Sequence, residues 1–444
     1  MRFDALVVGA GWLLFAPLAH AVTAQTKPPN IVVIVGDDMG YADIGVHGAK
    51  DIPTPNIDAL AASGIRFTDG YVSGPYCGPT RAGLMTGRYP QRFGQEFNIG
   101  MVAAHTDVGL PLSERTMADH LKAAGYRTAL IGKWHLGHAS RFFPTERGFD
   151  EFFGFLAGAH SYLGVGAEGN PIYDGNERAT SITYLTDTLT ERAVEFITRN
   201  KARPFFLYLA FNAVHTPMQA TDKYLARFTQ IPNELRRTYA AMMSAMDDGI
   251  GKTLAALRQQ GLEENTLIFF FSDNGGPITQ GGPNGSSNGS LRGQKATTWE
   301  GGIRVPFIIS WKGRIPAGKV DPRPVIQLDV LPTALAAAGV TVATRVEIRW
   351  RELAPLPNGN RVKRAARRAI LAARRPHGDP KRRLEAGKGV YRRRARPSRE
   401  NHARRRRALQ PERGHGRADQ PRRRELREGP RAQRRLAALE QPTR

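Results

Sequence analysis

Four short apolar runs, each closing on a cluster of charged or amide residues, constrain this chain of 444 residues more than any other feature. Ile31 to Val35 leads into Asp37 and Asp38, and Thr128 to Ile131 leads into Lys133 and His135. Phe205 to Phe211 leads into His215, and Leu267 to Phe271 into Asp273 and Asn274. Continuous runs rich in branched and aromatic residues read as strands buried on both faces, and Pro306 to Trp311 reads as a fifth. Helix-period segments lie between them. One carries Leu185, Leu189, Ala193, Phe196 and Ile197; another carries Tyr239, Met242, Met243, Met246, Ile250, Leu254 and Leu257 and is closed by Gly261. The methionine stripe reads as core packing. Alternating strand and helix predicts a layered α/β domain with a largely parallel or mixed sheet. In open sheets of that kind ligands sit beyond the carboxyl ends of the strands, so the four clusters are expected to meet in one crevice.

Asp37, Asp38, Asp273 and Asn274 offer only oxygen ligands, which suits a hard divalent cation such as Ca²⁺ or Mg²⁺ better than zinc. Gly36 and Gly40 flank the first acidic pair without forming a dinucleotide fingerprint, which excludes nucleotide binding of that type. The Gly-rich stretch from Gly275 to Gly293, with Pro277 and Pro283, predicts a long mobile loop over the site.

The N-terminus places an apolar stretch, Ala5 to Leu18, after Arg2 and before Ala19 and Ala21, which reads as an export leader over residues 1–24. It is too short for a span, and no later segment is apolar enough for one. An exported chain whose one cysteine is Cys77 holds no internal disulfide, so Cys77 either packs or reacts. The net charge of +24 is not spread evenly. Residues 345–444 carry 33 basic and 10 acidic side chains, whereas positions 1–344 carry 31 and 30. After Thr344 there is no Phe, Met or Cys, one Trp at 350 and one Tyr at 391. That composition predicts disorder over 344–444. A basic arm for polyanions would explain it, but the extreme bias to arginine favours an out-of-frame translation of GC-rich DNA beginning near Ala343. No functional nucleic acid partner is expected.

Around the cysteine the chain reads Tyr76-Cys77-Gly78-Pro79-Thr80-Arg81, then Leu84-Met85-Thr86-Gly87-Arg88. This resembles the signature of the type I sulfatases, Cys-x-Pro-Ser/Ala/Thr-Arg followed by Thr-Gly-Arg, with Thr80 where Ser is commonest. Gly132-Lys133-Trp134-His135, His215-Thr216-Pro217, Ser272-Asp273-Asn274-Gly275 and Leu291-Arg292-Gly293-Gln294-Lys295 resemble further sulfatase blocks, in order. The likeness runs from about Pro29 to about Gly339. It implies an alkaline-phosphatase-like layered fold, a large central mixed sheet flanked by helices, with residues 27–343 as the catalytic domain. The smaller C-terminal subdomain that such proteins carry is expected to be missing or replaced by the tail.

The resemblance further implies that Cys77 is oxidised to formylglycine by a maturation enzyme, and that one Ca²⁺, or Mg²⁺, is held by Asp37, Asp38, Asp273, Asn274 and the residue at 77. A hydrated formylglycine would attack sulfur with one hydroxyl and expel sulfate through the other, which an ordinary serine could not do. Asp273 would help deprotonate the attacking hydroxyl and Arg81 would hold the hydrate. Lys133 and Lys295 would bind the charge that builds on the sulfate oxygens. His135 would drive sulfate elimination, and His215 with Lys295 would protonate the leaving alcohol. The expected activity is release of sulfate from an aryl or carbohydrate ester. The rivals are a phosphonate or phosphodiester hydrolase of the same superfamily, and a non-catalytic remnant whose tail binds polyanions. Domain size gives no oligomeric state.

Overall fold

A computed structural model describes residues 27–100, 107–166, 170–279 and 282–340. The expected leader at 1–24 and the arginine-rich tail from 344 lie outside the described residues. The strands in chain order are β1 (Asn30–Gly36), β2 (Ile65–Phe67), β3 (Gly70–Tyr71), β4 (Arg127–Lys133), β5 (Glu151–Phe155) and β6 (Tyr173–Asp174). They continue with β7 (Glu177–Arg178), β8 (Phe205–Ala210), β9 (Thr266–Ser272), β10 (Phe307–Ser310), β11 (Lys319–Asp321) and β12 (Val325–Ile326). Ten of them form one sheet in the order β11-β2-β10-β9-β1-β8-β4-β5-β6-β7. The central five, β9, β1, β8, β4 and β5, are mutually parallel, while β10 runs antiparallel to β9 and β6 antiparallel to β5. This is the mixed α/β sheet expected from the sequence.

Each central strand is buried on both faces, and its alternate residues enter two different cores. Val32 and Ile34 join one cluster, and Ile31, Val33 and Val35 join the other. The first face is covered by α1 (Pro55–Ala62), α4 (Leu185–Arg199) and α6 (Glu234–Gln259), through Ile57, Leu60, Leu189, Phe196, Met242 and Met246. The methionines are thus core residues. The second face is covered by α2 (Cys77–Thr86), α3 (Met117–Ala123) and α8 (Val330–Ala337), through Leu84, Met85, Leu121, Leu331 and Leu335. The short helices α5 (Asp222–Leu225) and α7 (Glu300–Ile303) sit in connections. Helix α6 begins where the Asn233 side chain accepts from the Arg236 amide at 2.8 Å, and α3 begins with a reciprocal Thr116–Asp119 cap.

Strands β4 and β9 run past their apolar runs, into Lys133 and Ser272 respectively, because the ladder continues after the side chains turn polar. Strand β5 was not among the sequence-predicted strands. Its sequence, Glu-Phe-Phe-Gly-Phe, carries a glycine that weakens the pattern, yet that glycine is needed. A Cβ on Gly154 would lie 1.9 Å from the Gly132 carbonyl oxygen, so the two backbones touch where β4 and β5 pair.

Candidate active site

Because β1, β4, β8 and β9 are parallel, the segments that follow them emerge on one edge of the sheet. Past the strand ends the loops stay stitched. Asp37 N donates to Ala213 O at 2.9 Å, Val214 N to Asp37 O at 2.8 Å, and Asp273 N to Gly36 O at 3.0 Å. Asp38 then turns with φ 61, a left-handed conformation that non-glycine residues rarely adopt, and its amide donates to Asp273 Oδ1 at 3.2 Å. His135 (φ 58) and Ala296 (φ 71), beside Lys295, are the other non-glycine residues with positive φ among the described residues. All three mark the same crevice, where local strain is held by the surrounding structure.

Helix α2 brings in the sixth segment of the site. Its residues are all buried, with Tyr76 as N-cap and Cys77 in the first turn, at the positive end of the helix dipole. The helix stops at Gly87 (φ 63), whose amide returns to Gly83 O at 2.8 Å. One turn beyond Cys77, Arg81 reaches Asp273 Oδ2 with Nε at 3.0 Å and Nη2 at 2.7 Å. Its Nη1 donates to Lys133 O at 3.1 Å and to Tyr208 Oη at 3.2 Å, so one guanidinium ties α2 to β4, to β8 and to the segment that follows β9. Thr80 donates its hydroxyl to Gly74 O at 3.0 Å, which holds the turn leading into Cys77.

The charges interlock, with Asp38 Oδ2 3.4 Å from His215 Nε2 and Asp37 Oδ2 3.9 Å from Arg81 Nη2 beside three shorter pairs. Lys133 Nζ lies 2.5 Å from Asp37 Oδ2, Lys295 Nζ 2.6 Å from Asp38 Oδ2, and Arg81 on Asp273. Lys295 also stands 3.2 Å from His215 Nε2, while His215 Nδ1 donates to Thr216 O at 2.6 Å. Asn274 Nδ2 donates to Asp38 Oδ1 at 2.7 Å. Ligand atoms of Asp37, Asp38, Cys77 and His215 all fall within 4.8 Å of one another. Burial raises the Cys77 thiol, but the ammonium charges of Lys133 and Lys295 outweigh it and bring the thiol down to about 7. Burial and the neighbouring Asp37 lift Asp273 to about 6 despite Arg81. Burial opposes the charge on His215, yet Asp38 and Asp37 hold it up to about 9. His135 is pushed well below its ordinary value by burial and then by Lys133 and Arg81, so it stays neutral.

The sequence profile of the sulfatase family matches residues 29–340. The chain belongs to that family. It is 38% identical over 349 residues to N-acetylgalactosamine-6-sulfatase of Mus musculus, covering 74% of this chain and 66% of that protein. It is 40% identical over 303 residues to arylsulfatase J of the same species, covering 66% and 49%. The match to the first spans about two thirds of that curated relative's length. Among solved structures, Ps i-CgsB in complex with k-i-k-neocarrahexaose superimposes with a TM-score of 0.71 at 41% identity, covering 74% of this chain and 76% of that one. A phosphonate monoester hydrolase from Silicibacter pomeroyi, at 20% identity and a TM-score of 0.54, shares the fold.

In this member of the family every residue singled out from the sequence lies in or against the crevice. Asp37, Asp38, Cys77, Arg81, Lys133, His215, Asp273, Asn274 and Lys295 are joined by the contacts above. His135 packs beside the first turn of α2, its carbonyl oxygen 3.7 Å from where a Cβ on Gly78 would sit. The Gly275–Gly293 stretch differs from the loose loop expected. Asn284 is fully buried, and its amide nitrogen donates to Asp38 O at 3.1 Å and Val214 O at 2.9 Å. Asn288 binds Gly276 in both directions at 3.0 Å, and Ser287 N donates to Asp43 Oδ2 at 2.8 Å. A Cβ on Gly40 would meet Ser287 O at 2.3 Å, so the acidic loop and the Gly-rich loop lie backbone to backbone. Asn284 and Tyr208 were absent from the sequence-derived set. Pro-Asn-Gly reads as an exposed turn, and one hydroxyl in an apolar strand reads as filler; only the long-range contacts distinguish them.

Proposed function

We propose that this chain hydrolyses the sulfate ester of a sulfated carbohydrate, with inorganic sulfate as product, using a nucleophile made from Cys77 and one divalent cation. The observation that carries this reading is the place of Cys77: a buried thiol at a helix N-terminus, lowered to about 7 by two lysines that also pair with the Asp37–Asp38 turn. Residues 1–24 act as an export leader, 27–343 form the catalytic domain, and the tail from 344 is out of frame. Reading the gene in its other two frames past Ala343 tests the last point. The carbohydrate is favoured by two relatives, one named for N-acetylgalactosamine 6-sulfate and one solved with neocarrahexaose.

The cation fits the donors present. Asp37 Oδ1 and Asn274 Oδ1 are buried and receive no hydrogen bond, and Asp38 and Asp273 complete an oxygen set suited to Ca²⁺. When bound, the cation would draw charge from the sulfate oxygens. Oxidation of Cys77 to formylglycine by a maturation enzyme, followed by addition of water to the aldehyde, would supply two hydroxyls, one for attack on sulfur and one for release of sulfate. The protein's own groups then have defined tasks. Arg81 fixes Asp273 through two donors, and Asp273, at about 6, accepts a proton near neutral pH. Lys133 and Lys295 present ammonium groups to the transferred sulfate. His215, at about 9 and 3.2 Å from Lys295, donates the proton that the leaving alcohol takes. Neutral His135 is a base for the elimination.

The test is mass spectrometry of the Cys77 peptide after expression with a maturation enzyme, together with turnover of an aryl sulfate, N-acetylgalactosamine 6-sulfate and an aryl phosphodiester. Formylglycine at 77 and sulfate release from the sugar ester are expected. An unmodified Cys77, or faster turnover of the phosphodiester, overturns the reading.

A further inference from the structure

The inner crevice is built of buried charge: Lys133 has no solvent exposure and Lys295 has 5%. A sulfate ester whose sulfate lies among these charges must direct the group it is attached to toward solvent, and Cys77, which would attack it, lies in the first turn of α2. Two aromatic rings adjoin that turn. Tyr76 immediately precedes Cys77 and caps the helix. Phe97 precedes Asn98, whose Oδ1 accepts the Gly78 amide at 2.9 Å, so Tyr76 adjoins Cys77 and Phe97 adjoins the residue that pins the turn. The rings meet edge to face, with centroids 6.1 Å apart and an interplanar angle of 61°. Phe97 is 66% exposed, which is unusual for a phenylalanine held beside a buried, charged crevice. On the other side, Ala296 N donates to Pro75 O at 3.0 Å, which brings the Lys295 segment against the same turn.

We propose that Phe97, backed by Tyr76, is the wall on which the ring of the sulfated sugar lies. This assignment rests on the sulfatase reading above and adds to it where the leaving group binds. A pyranose has faces of C–H bonds and an edge of hydroxyls. Its C–H face packs on an aromatic ring while the hydroxyls stay in water. The wall binds the sugar and leaves the sulfate to the lysines, so Phe97 is a specificity residue and takes no part in the bond changes.

The full-length protein, its Phe97→Ala variant and its Phe97→Trp variant are titrated with N-acetylgalactosamine 6-sulfate and, separately, with inorganic sulfate. Phe97→Ala is expected to weaken the sugar sulfate roughly three- to tenfold. Phe97→Trp should restore it, and inorganic sulfate should bind all three proteins alike. Equal affinity of Phe97→Ala and the parent for the sugar sulfate overturns the proposal. So does a parallel loss for inorganic sulfate, which would mean a disturbed anion site, and so does a parent that holds the sugar sulfate no better than sulfate. Sulfate release by the parent is followed alongside: if the sugar binds through Phe97 but no sulfate is released, the hydrolase reading fails while the wall stands.

Discussion

Lys133 Nζ sits 2.5 Å from Asp37 Oδ2, both without solvent exposure, and Lys295 repeats the relationship with Asp38 at 2.6 Å. With Arg81 on Asp273 and His215 Nε2 3.4 Å from Asp38 Oδ2, four cationic groups face three buried carboxylates. The carboxylates are therefore countered by cations without a metal, and the ion-free protein is expected to stay folded. Chelation should abolish sulfate release yet leave a cooperative thermal transition. Added Ca²⁺ at a hundred times its dissociation constant should stabilise the fold by about 2.7 kcal/mol. A chain that unfolds on chelation would show that the lysines do not balance the acids.

Arg81 is the most connected side chain of the site, and its removal would leave Asp273 buried beside Asp37 with one counter-charge fewer. Arg81→Ala should destabilise the protein by roughly 3–5 kcal/mol. Tyr208→Phe removes one hydroxyl acceptor and should cost about 0.5–1.5 kcal/mol. Denaturant titration measures both, and similar costs for the two would contradict the central role given to Arg81.

Asn284 joins the carbonyl of Asp38 to that of Val214, the residue before His215. Asn284→Ala should cost about 1–3 kcal/mol through two unsatisfied buried carbonyls. Because it loosens the acid turn against the histidine, it should also lower kcat more than it raises KM. A variant with full kcat would reduce Asn284 to packing.

His47 supplies a test of acid stability away from the crevice. Burial, followed by the charge of Arg66, lowers its imidazole from 6.5 to about 3. Between those values the unfolded chain binds a proton that the folded chain refuses. The contribution is complete above pH 6.5 and is lost as the pH falls toward 3, by up to about 1.4 kcal/mol per pH unit. His47→Gln should flatten the stability curve across that window. An unaltered slope would mean the histidine titrates normally in the fold.

The central strands were legible from the residues alone, since Ile31 to Val35 and Leu267 to Phe271 are too apolar to lie anywhere but between two packed faces. So was the chemistry available, since the side chains after each run read as acids, lysines and histidines, and Cys77 stood in a specific motif. Which partner each charge takes emerges only in the folded molecule: Lys133 pairs with Asp37 and Lys295 with Asp38, and Arg81 joins β4, β8 and the turn after β9. Folding also turned a glycine-rich loop into a buried clamp through Asn284. Local propensity cannot encode such contacts, because they join residues up to 257 positions apart and exist only once parallel pairing has brought the strand ends to one edge.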